Sequence, residues 1–153
     1  MDAKKLDEIL DKYQREPSSL LAILQDIQDE ENYLPKETVK EVAQKLGVPL
    51  ARVYALATFF SSFSLKPRGK HICTVCMGTA CHVRGAPRLV EHIEREFDVP
   101  AGGTTPDMQL TLETVNCVGA CALGPLVILD GEYHGNMNPA KLDRVFRPLK
   151  KKE

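Results

Sequence analysis

Four cysteines in two close pairs constrain this 153-residue chain more than any other feature of its sequence. Cys76 and Cys81 enclose four residues, Cys117 and Cys121 enclose three, and thirty-five residues separate the two pairs. Each pair is predicted to lie in a short loop of small residues that follows a strand-like run. Two such loops folded face to face would present four thiolates to one iron–sulfur cluster. The sequence therefore predicts an electron carrier.

The cysteine spacing also allows a second kind of metal site. Zinc sites built from four cysteines usually place the ligands of a pair two to four residues apart, which the second pair satisfies and the first meets only at the limit. The first spacing also occurs in plant-type [2Fe–2S] loops, although the remainder of that pattern is absent here. Spacing alone therefore favours iron–sulfur and leaves structural zinc open.

Small residues within the loops favour a close approach of the backbone to a bound group. Gly78, Ala80, Gly119 and Ala120 carry no bulky side chain, and glycine can also adopt positive φ. Backbone that turns in this way can point N–H groups into a concavity that holds negative charge. Such donors to sulfur would favour the reduced cluster.

Composition and charge exclude several classes of protein. The net charge of −1 leaves no broad basic field for nucleic acid or an anionic membrane. No run reaches the roughly 18 apolar residues of a membrane span, and the charged N-terminal segment lacks an apolar signal core. We therefore expect a cytoplasmic protein, in which clustered cysteines indicate metal or redox chemistry rather than disulfides.

Hydrophobic periodicity divides the chain at a turn near residue 67. Residues 1–66 are predicted to form a bundle of four short helices, because apolar residues recur there at helical spacing. The fourth helix, beginning at Pro49, is predicted to carry Phe59, Phe60 and Phe63. Aromatic residues at this spacing are typical of a bundle core, with a docking patch as the alternative.

Residues 67–153 are predicted to alternate between strands and helices around a small sheet, which gives an α+β chain. The predicted elements, in the order β-α-β-β-α, are His71–Cys76, Ala86–Phe97, Leu110–Cys117, Leu126–Leu129 and a helix from Asn138. Asp130 and Gly131 predict a hairpin with a short returning strand. Asn138 is predicted to cap the last helix, with Pro139 at its first position.

Cys73, His82 and Arg84 lie close to the first cysteine pair in sequence. Cys73 and Cys76 match a thiol–disulfide motif, but strand residues three apart point to opposite faces, so Cys73 is predicted to be a buried apolar residue. His82 is predicted to be a helix-start neighbour rather than a Rieske-type ligand, because no second histidine shares its spacing. Arg84 either lies near the anionic cluster and eases reduction, or is a solvated helix-start arginine.

The remaining histidines, His71, His92 and His134, have no partners that the sequence identifies, and we expect them at surface or edge positions.

The glycine pattern matches neither the dinucleotide fingerprint nor the phosphate loop. No set of serine, histidine and aspartate indicates hydrolysis, and no catalytic residue is predicted. Any NAD chemistry is therefore expected on a partner.

Several stretches resemble the thioredoxin-like [2Fe–2S] ferredoxin family, which includes a subunit of respiratory complex I and small subunits of NAD(P)-linked hydrogenases and formate dehydrogenases. They are VCMGTACHVRG (75–85), GGTTPDMQLTLETVNCVGAC (102–121) and ALGPLVILDGEYHGNMNPAKLD (122–143). The resemblance extends upstream through YLP (33–35) and TFF (58–60), so it covers nearly the whole chain.

The resemblance implies a helical bundle at 1–66, a thioredoxin-like domain at 67–153, and one [2Fe–2S] cluster. The implied ligands are Cys76, Cys81, Cys117 and Cys121. It also implies docking on a larger subunit that binds FMN and NAD(P)H and carries further clusters, with single electrons exchanged with that flavin. Val118 and Gly124 stand where family members commonly have leucine and alanine, and we expect these changes to affect the potential of the cluster more than its presence.

Overall fold

The computed structural model describes residues 1–150, which form two compact units divided between Pro67 and Arg68. Residues 151–153, the end of the predicted second domain, lie outside the described residues. None of the helices within residues 1–150 is long and apolar enough to cross a membrane.

The first unit consists of four α-helices, and a 3₁₀ turn at Pro17–Ser19 immediately precedes the second of them. They are α1 (Ala3–Lys12), α2 (Leu20–Glu31), α3 (Lys36–Leu46) and α4 (Leu50–Phe59). Asn32 and Gly47 adopt positive φ and end α2 and α3, while Pro35 and Pro49 immediately precede α3 and α4. Aliphatic side chains from all four helices share one buried core.

The end of α4 differs from the prediction. The helix ends at Phe59 because Phe60 adopts an extended conformation, so Phe60 and Phe63 lie beyond it. Phe59 is 79% exposed, whereas Phe63 is only 8% exposed and belongs to the core of the bundle. Helical spacing therefore wrongly placed three aromatic residues on one helix, and Phe59 in the core.

The second unit is built on a four-stranded mixed sheet in the order β2-β1-β3-β4. The strands are β1 (His71–Cys76), β2 (Leu110–Val115), β3 (Val127–Leu129) and β4 (Glu132–His134). Strand β1 pairs in parallel with β2 and antiparallel with β3, and β3 forms an antiparallel hairpin with β4. The parallel register places Cys76 opposite Val115, so the carboxyl ends of β1 and β2 lie at the same edge.

Three α-helices complete the described part of the second unit: α5 (Thr79–Val83), α6 (Ala86–Phe97) and α7 (Pro139–Lys150). The predicted N-cap of α7 is confirmed, because the Lys141 backbone N–H donates to Asn138 Oδ1 at 2.9 Å. Apolar residues from β1, β2, α6 and α7 form one core, in which the rings of Phe97 and Phe146 meet edge to face.

The mixed helix and sheet architecture predicted from the sequence is confirmed, with one addition. The helix α5 occupies a segment predicted as a loop, whereas β4 is the predicted returning strand of the hairpin. Helix α5 has only five residues, too few for a hydrophobic period to mark it.

Candidate metal centre

The topology of the sheet brings the two cysteine pairs to one edge. Cys76 is the last residue of β1, and Cys117 follows the end of the parallel strand β2 by two residues. Because the carboxyl ends of parallel neighbours meet at the same edge, segments 35 residues apart in sequence converge here.

The first pair is buried. Cys76 and Cys81 are 3% and 2% exposed, and Cys81 lies on α5 rather than in the predicted loop. Gly78 precedes this helix, and its carbonyl oxygen accepts a hydrogen bond from the His82 backbone N–H at 2.8 Å. The single helical turn points the Cys81 side chain inward and leaves His82 exposed.

The second pair is exposed to solvent and lies in a tight turn. The Sγ atoms of Cys117 and Cys121 are 3.9 Å apart. A metal–sulfur bond of about 2.3 Å places two thiolates on one tetrahedral ion about 3.8 Å apart. The observed separation therefore suits two ligands of a single metal ion, whether iron or zinc.

Gly119 shapes that turn. It adopts a φ of +84°, and its backbone N–H donates to Cys117 Sγ at 3.4 Å. The predicted arrangement of a glycine at positive φ with an N–H directed at sulfur is thus present at this position.

Hydrogen bonds link the Cys76 thiol to groups in both cysteine segments. Burial opposes its ionisation, but the backbone N–H groups of Gly78 and Val118 and the thiols of Cys81 and Cys117 together outweigh burial and lower the pKa of Cys76. Val118 and Cys117 belong to the second segment, so Cys76 lies within hydrogen-bonding reach of both loops.

The thiols of Cys81 and Cys121 have raised pKa values. Burial and the neighbouring Cys76 raise the pKa of Cys81 despite a backbone hydrogen bond from Leu126. The hydrogen bond and charge of Cys117 raise the pKa of Cys121. Four thiolates at one place repel each other, and a bound cation supplies the charge that lets them all deprotonate. The donor set and its spacing fit a metal ion or an iron–sulfur cluster.

Two glycines allow the cysteine segments to pack this closely. A Cβ atom on Gly78 would lie 2.5 Å from the carbonyl oxygen of Asn116, and one on Gly124 would lie 3.0 Å from Cys81 Sγ. Backbone therefore leaves no space for a side chain at position 78, and the Cys81 side chain leaves little space for one at position 124.

Arg84 follows α5 and reaches the second segment. Its Nη1 atom donates to the carbonyl oxygens of Cys121, at 3.1 Å, and of Gly124, at 3.3 Å. Arg84 also lines the same surface depression as Cys117 and Cys121. The sequence placed Arg84 three residues after a predicted ligand, but it carried no signal for these two carbonyl contacts.

The fifth cysteine, Cys73, differs from the other four in being completely buried, and its thiol has a raised pKa. Cys73 is fully buried on β1, and burial, together with the charge of Asp130, raises the pKa of its thiol to about 12. An inaccessible thiol that stays protonated is a poor nucleophile, so the interpretation of Cys73 as a buried apolar residue is confirmed.

Two histidines have partners that the sequence did not indicate. His71 Nδ1 lies 2.6 Å from Asp130 Oδ2, and His92 Nε2 lies 2.9 Å from Asp143 Oδ1. The expectation that these two histidines lack partners is wrong. Both pairings join residues more than fifty positions apart, so sequence spacing did not indicate them. Glu96 lies near His92 and Asp143, with one potential ligand atom of each residue within 4.8 Å of the others.

Comparison with known proteins identifies the family to which the centre belongs. The model of the thioredoxin-like [2Fe-2S] ferredoxins matches residues 6–150. The chain belongs to the thioredoxin-like [2Fe–2S] ferredoxin family. The resemblance seen in the cysteine motifs is thereby confirmed, and membership of this ferredoxin family supports a [2Fe–2S] cluster.

Relatives within the ferredoxin family are subunits of larger complexes. The chain is 33% identical over 143 residues to the NADP-reducing hydrogenase subunit HndA of Solidesulfovibrio fructosivorans, covering 94% of this chain and 84% of the relative. It is 36% identical over 142 residues to an NADH-quinone oxidoreductase subunit of Rhizobium meliloti (strain 1021), covering 93% of this chain and 84% of that relative.

Solved structures share the fold. The chain superposes on part of the air-oxidised NAD⁺-reducing [NiFe]-hydrogenase with a TM-score of 0.78 at 21% identity. The match covers 90% of this chain and 24% of that one. The predicted combination of helical bundle and thioredoxin-like α/β fold is confirmed by this likeness and the family match.

Proposed function

We propose that the chain is an electron-transfer subunit that holds one [2Fe–2S] cluster on Cys76, Cys81, Cys117 and Cys121, within a thioredoxin-like domain at 67–153. The convergence of two cysteine pairs at the carboxyl edge of β1 and β2, in a chain of this family, carries the proposal. When bound, the cluster supplies one-electron chemistry. The chain supplies four thiolates and has no substrate site of its own.

The two pairs divide the ligands between the irons. Cys117 and Cys121 are spaced for one metal ion, and Cys76 and Cys81 lie within hydrogen-bonding reach of each other. We assign each pair to one iron. The first pair is buried and the second exposed, so the side of the centre that holds Cys117 and Cys121 is the side open to a redox partner.

Backbone donors in both segments suit an anionic group. N–H groups of Gly78 and Val118 point at Cys76, and that of Gly119 points at Cys117. Donors to cluster sulfurs stabilise the more negative, reduced state, so the chain raises the potential at which the centre accepts an electron.

The proposed electron partner is the flavin of a larger NAD(P)H-oxidising subunit, in a complex with further redox subunits. The names of the relatives support NADH dehydrogenase and NADP-reducing hydrogenase complexes. Electron-bifurcating hydrogenase and NAD-linked formate dehydrogenase follow from the family resemblance alone. In each, FMN and NAD(P)H bind to the partner, in the cytoplasm, and this chain binds neither nucleic acid nor the membrane directly.

A zinc-stapled structural adaptor is the alternative function. The 3.9 Å separation of Cys117 Sγ and Cys121 Sγ suits zinc as well as iron. The adaptor would bind the same partners without accepting an electron.

A serine series separates ligands from bystanders. Replacing Cys76, Cys81, Cys117 or Cys121 singly with serine is expected to remove or distort the electron paramagnetic resonance signal of the dithionite-reduced, anaerobically purified protein. Cys73→Ser is the matched control, because Cys73 neighbours the first pair in sequence but is buried with a thiol that stays protonated. Loss of the signal in Cys73→Ser alone would overturn the ligand assignment.

The partner assignment needs the native complex. Affinity purification of the tagged chain from its own host should recover a flavin-containing subunit that reduces the bound chain when NADH or NADPH is added. Recovery of a complex without flavin, or no reduction by either nucleotide, would contradict the electron-relay role.

A further inference from the structure

Arg84 connects the two cysteine segments through its side chain. It is three residues beyond Cys81, at the end of α5, and its backbone N–H donates to the Ala80 carbonyl oxygen at 3.3 Å. From this fixed position, Nη1 donates to the carbonyl oxygens of both Cys121 and Gly124. The guanidinium therefore holds the exposed ligand segment against the segment of the buried ligand.

The second contact secures the packing around a proposed ligand. Gly124 lies so close to Cys81 that an added Cβ atom would be 3.0 Å from Cys81 Sγ. A hydrogen bond from Arg84 to the Gly124 carbonyl oxygen fixes this approach, while the bond to the Cys121 carbonyl oxygen fixes a ligand of the exposed pair. Both bonds come from one charged donor, which strengthens them relative to bonds from a neutral group.

Arg84 also brings a positive charge to the centre, whose two cysteine segments contain no acidic residue. Segments 76–85 and 116–125 contain no aspartate or glutamate, and Arg84 is their one formally charged side chain. It lines the depression that Cys117 and Cys121 also line. A fixed positive charge beside an anionic group favours the state with more negative charge.

We propose that Arg84 is a positioning residue that holds the exposed ligand turn in place and raises the reduction potential of the cluster. The proposal rests on the proposed function, because it requires a cluster on the four cysteines. In the reduction concerned, one electron passes from dithionite or a reduced flavin to the oxidised centre, and no covalent bond forms or breaks on Arg84. The retained positive charge of Arg84 favours that transfer.

Two substitutions separate the charge of Arg84 from its hydrogen bonds. Arg84→Gln removes the charge, and Arg84→Lys keeps the charge but replaces the rigid, planar guanidinium, whose Nη1 donates to both carbonyl oxygens, with a flexible ammonium group. Arg88→Gln is the matched control, because Arg88 is exposed on α6 and undergoes the same chemical change four residues away.

The measurements use the cluster-loaded full chain. They are the midpoint potential, followed by electron paramagnetic resonance at low and high salt, and the rate of iron loss to a chelator. Arg84→Gln should lower the potential, with a smaller difference from wild type at high salt because exposed charges are screened. Arg84→Gln and Arg84→Lys should both lose iron roughly tenfold faster, as expected for about 1.4 kcal/mol of lost hydrogen bonding. Arg84→Lys should keep a potential closer to that of wild type.

A potential and iron-loss rate in Arg84→Gln equal to those of Arg88→Gln would overturn the proposal. Where Arg84→Gln cannot be loaded, Arg84→Lys decides: faster iron loss than wild type supports the positioning role, and an unchanged rate contradicts it. Failure of the wild-type chain to hold iron and sulfide is a different result, which refutes the proposed function itself.

Discussion

Gly78 packs directly against Asn116, so that a Cβ atom at position 78 would lie 2.5 Å from the Asn116 carbonyl oxygen. The backbone after β1 therefore touches the backbone that carries Cys117. This contact, between residues 38 positions apart, sets how closely the two cysteine segments approach.

Gly78→Ala is expected to separate those segments. Backbone cannot yield as a flexible side chain can, so relieving the overlap should cost about 1–3 kcal/mol and misplace Cys76 relative to Cys117. The iron content per chain and the thermal midpoint would both fall. Gly69→Ala is the control, because its Cβ would meet the Leu110 backbone at 2.8 Å, at the opposite end of β2 from the cysteines. Equal iron loss in the two variants would contradict a specific role for Gly78.

Cys73 should resist alkylation across a wide pH range. Its pKa of about 12 lies above the ordinary value of 9.0, so at pH 9 only about one thiol in a thousand would be ionised, compared with half of an unperturbed thiol. Because the raised pKa favours the protonated form, reactivity should rise only as the pH approaches 12. Mass spectrometry after iodoacetamide treatment of the native, cluster-loaded protein at pH 8 and 9 tests this. Rapid labelling of Cys73 under these conditions would be inconsistent with its burial.

Phe63 and Phe59 should differ in their contribution to the bundle. Phe63 is buried, so Phe63→Ala should lower the free energy of unfolding by about 3 kcal/mol through lost contacts and a cavity. Phe59 is 79% exposed, and Phe59→Ala should change stability by no more than about 0.5 kcal/mol. Denaturation of the full chain, followed by helical circular dichroism, measures both. Equal effects of the two substitutions would contradict the buried position of Phe63 and the exposed position of Phe59.

Local signals predicted most element boundaries. The predicted bundle of four helices, the strand His71–Cys76 and the helix Ala86–Phe97 agree with the structure. At these positions several independent preferences coincide, such as a proline before α3 and a glycine at positive φ after it. The N-cap at Asn138 was predictable for the same reason.

Features that depend on distant contacts were not predictable. The aromatic run at 59–63 has helical spacing, but the chain leaves the helix at Phe60, and only Phe63 is buried. Spacing identified four candidate ligand cysteines, while the buried and exposed character of the two pairs depends on α5 and the sheet edge. The Arg84 contacts and the pairing of His92 with Asp143 likewise join segments distant in sequence.

The most direct test of an iron–sulfur cluster on these four cysteines is the metal content of the chain purified without oxygen. We expect a brown protein with about two irons and about two acid-labile sulfides per chain, and a one-electron signal on reduction. A colourless protein with about one zinc per chain and no sulfide would contradict this expectation and favour the structural adaptor.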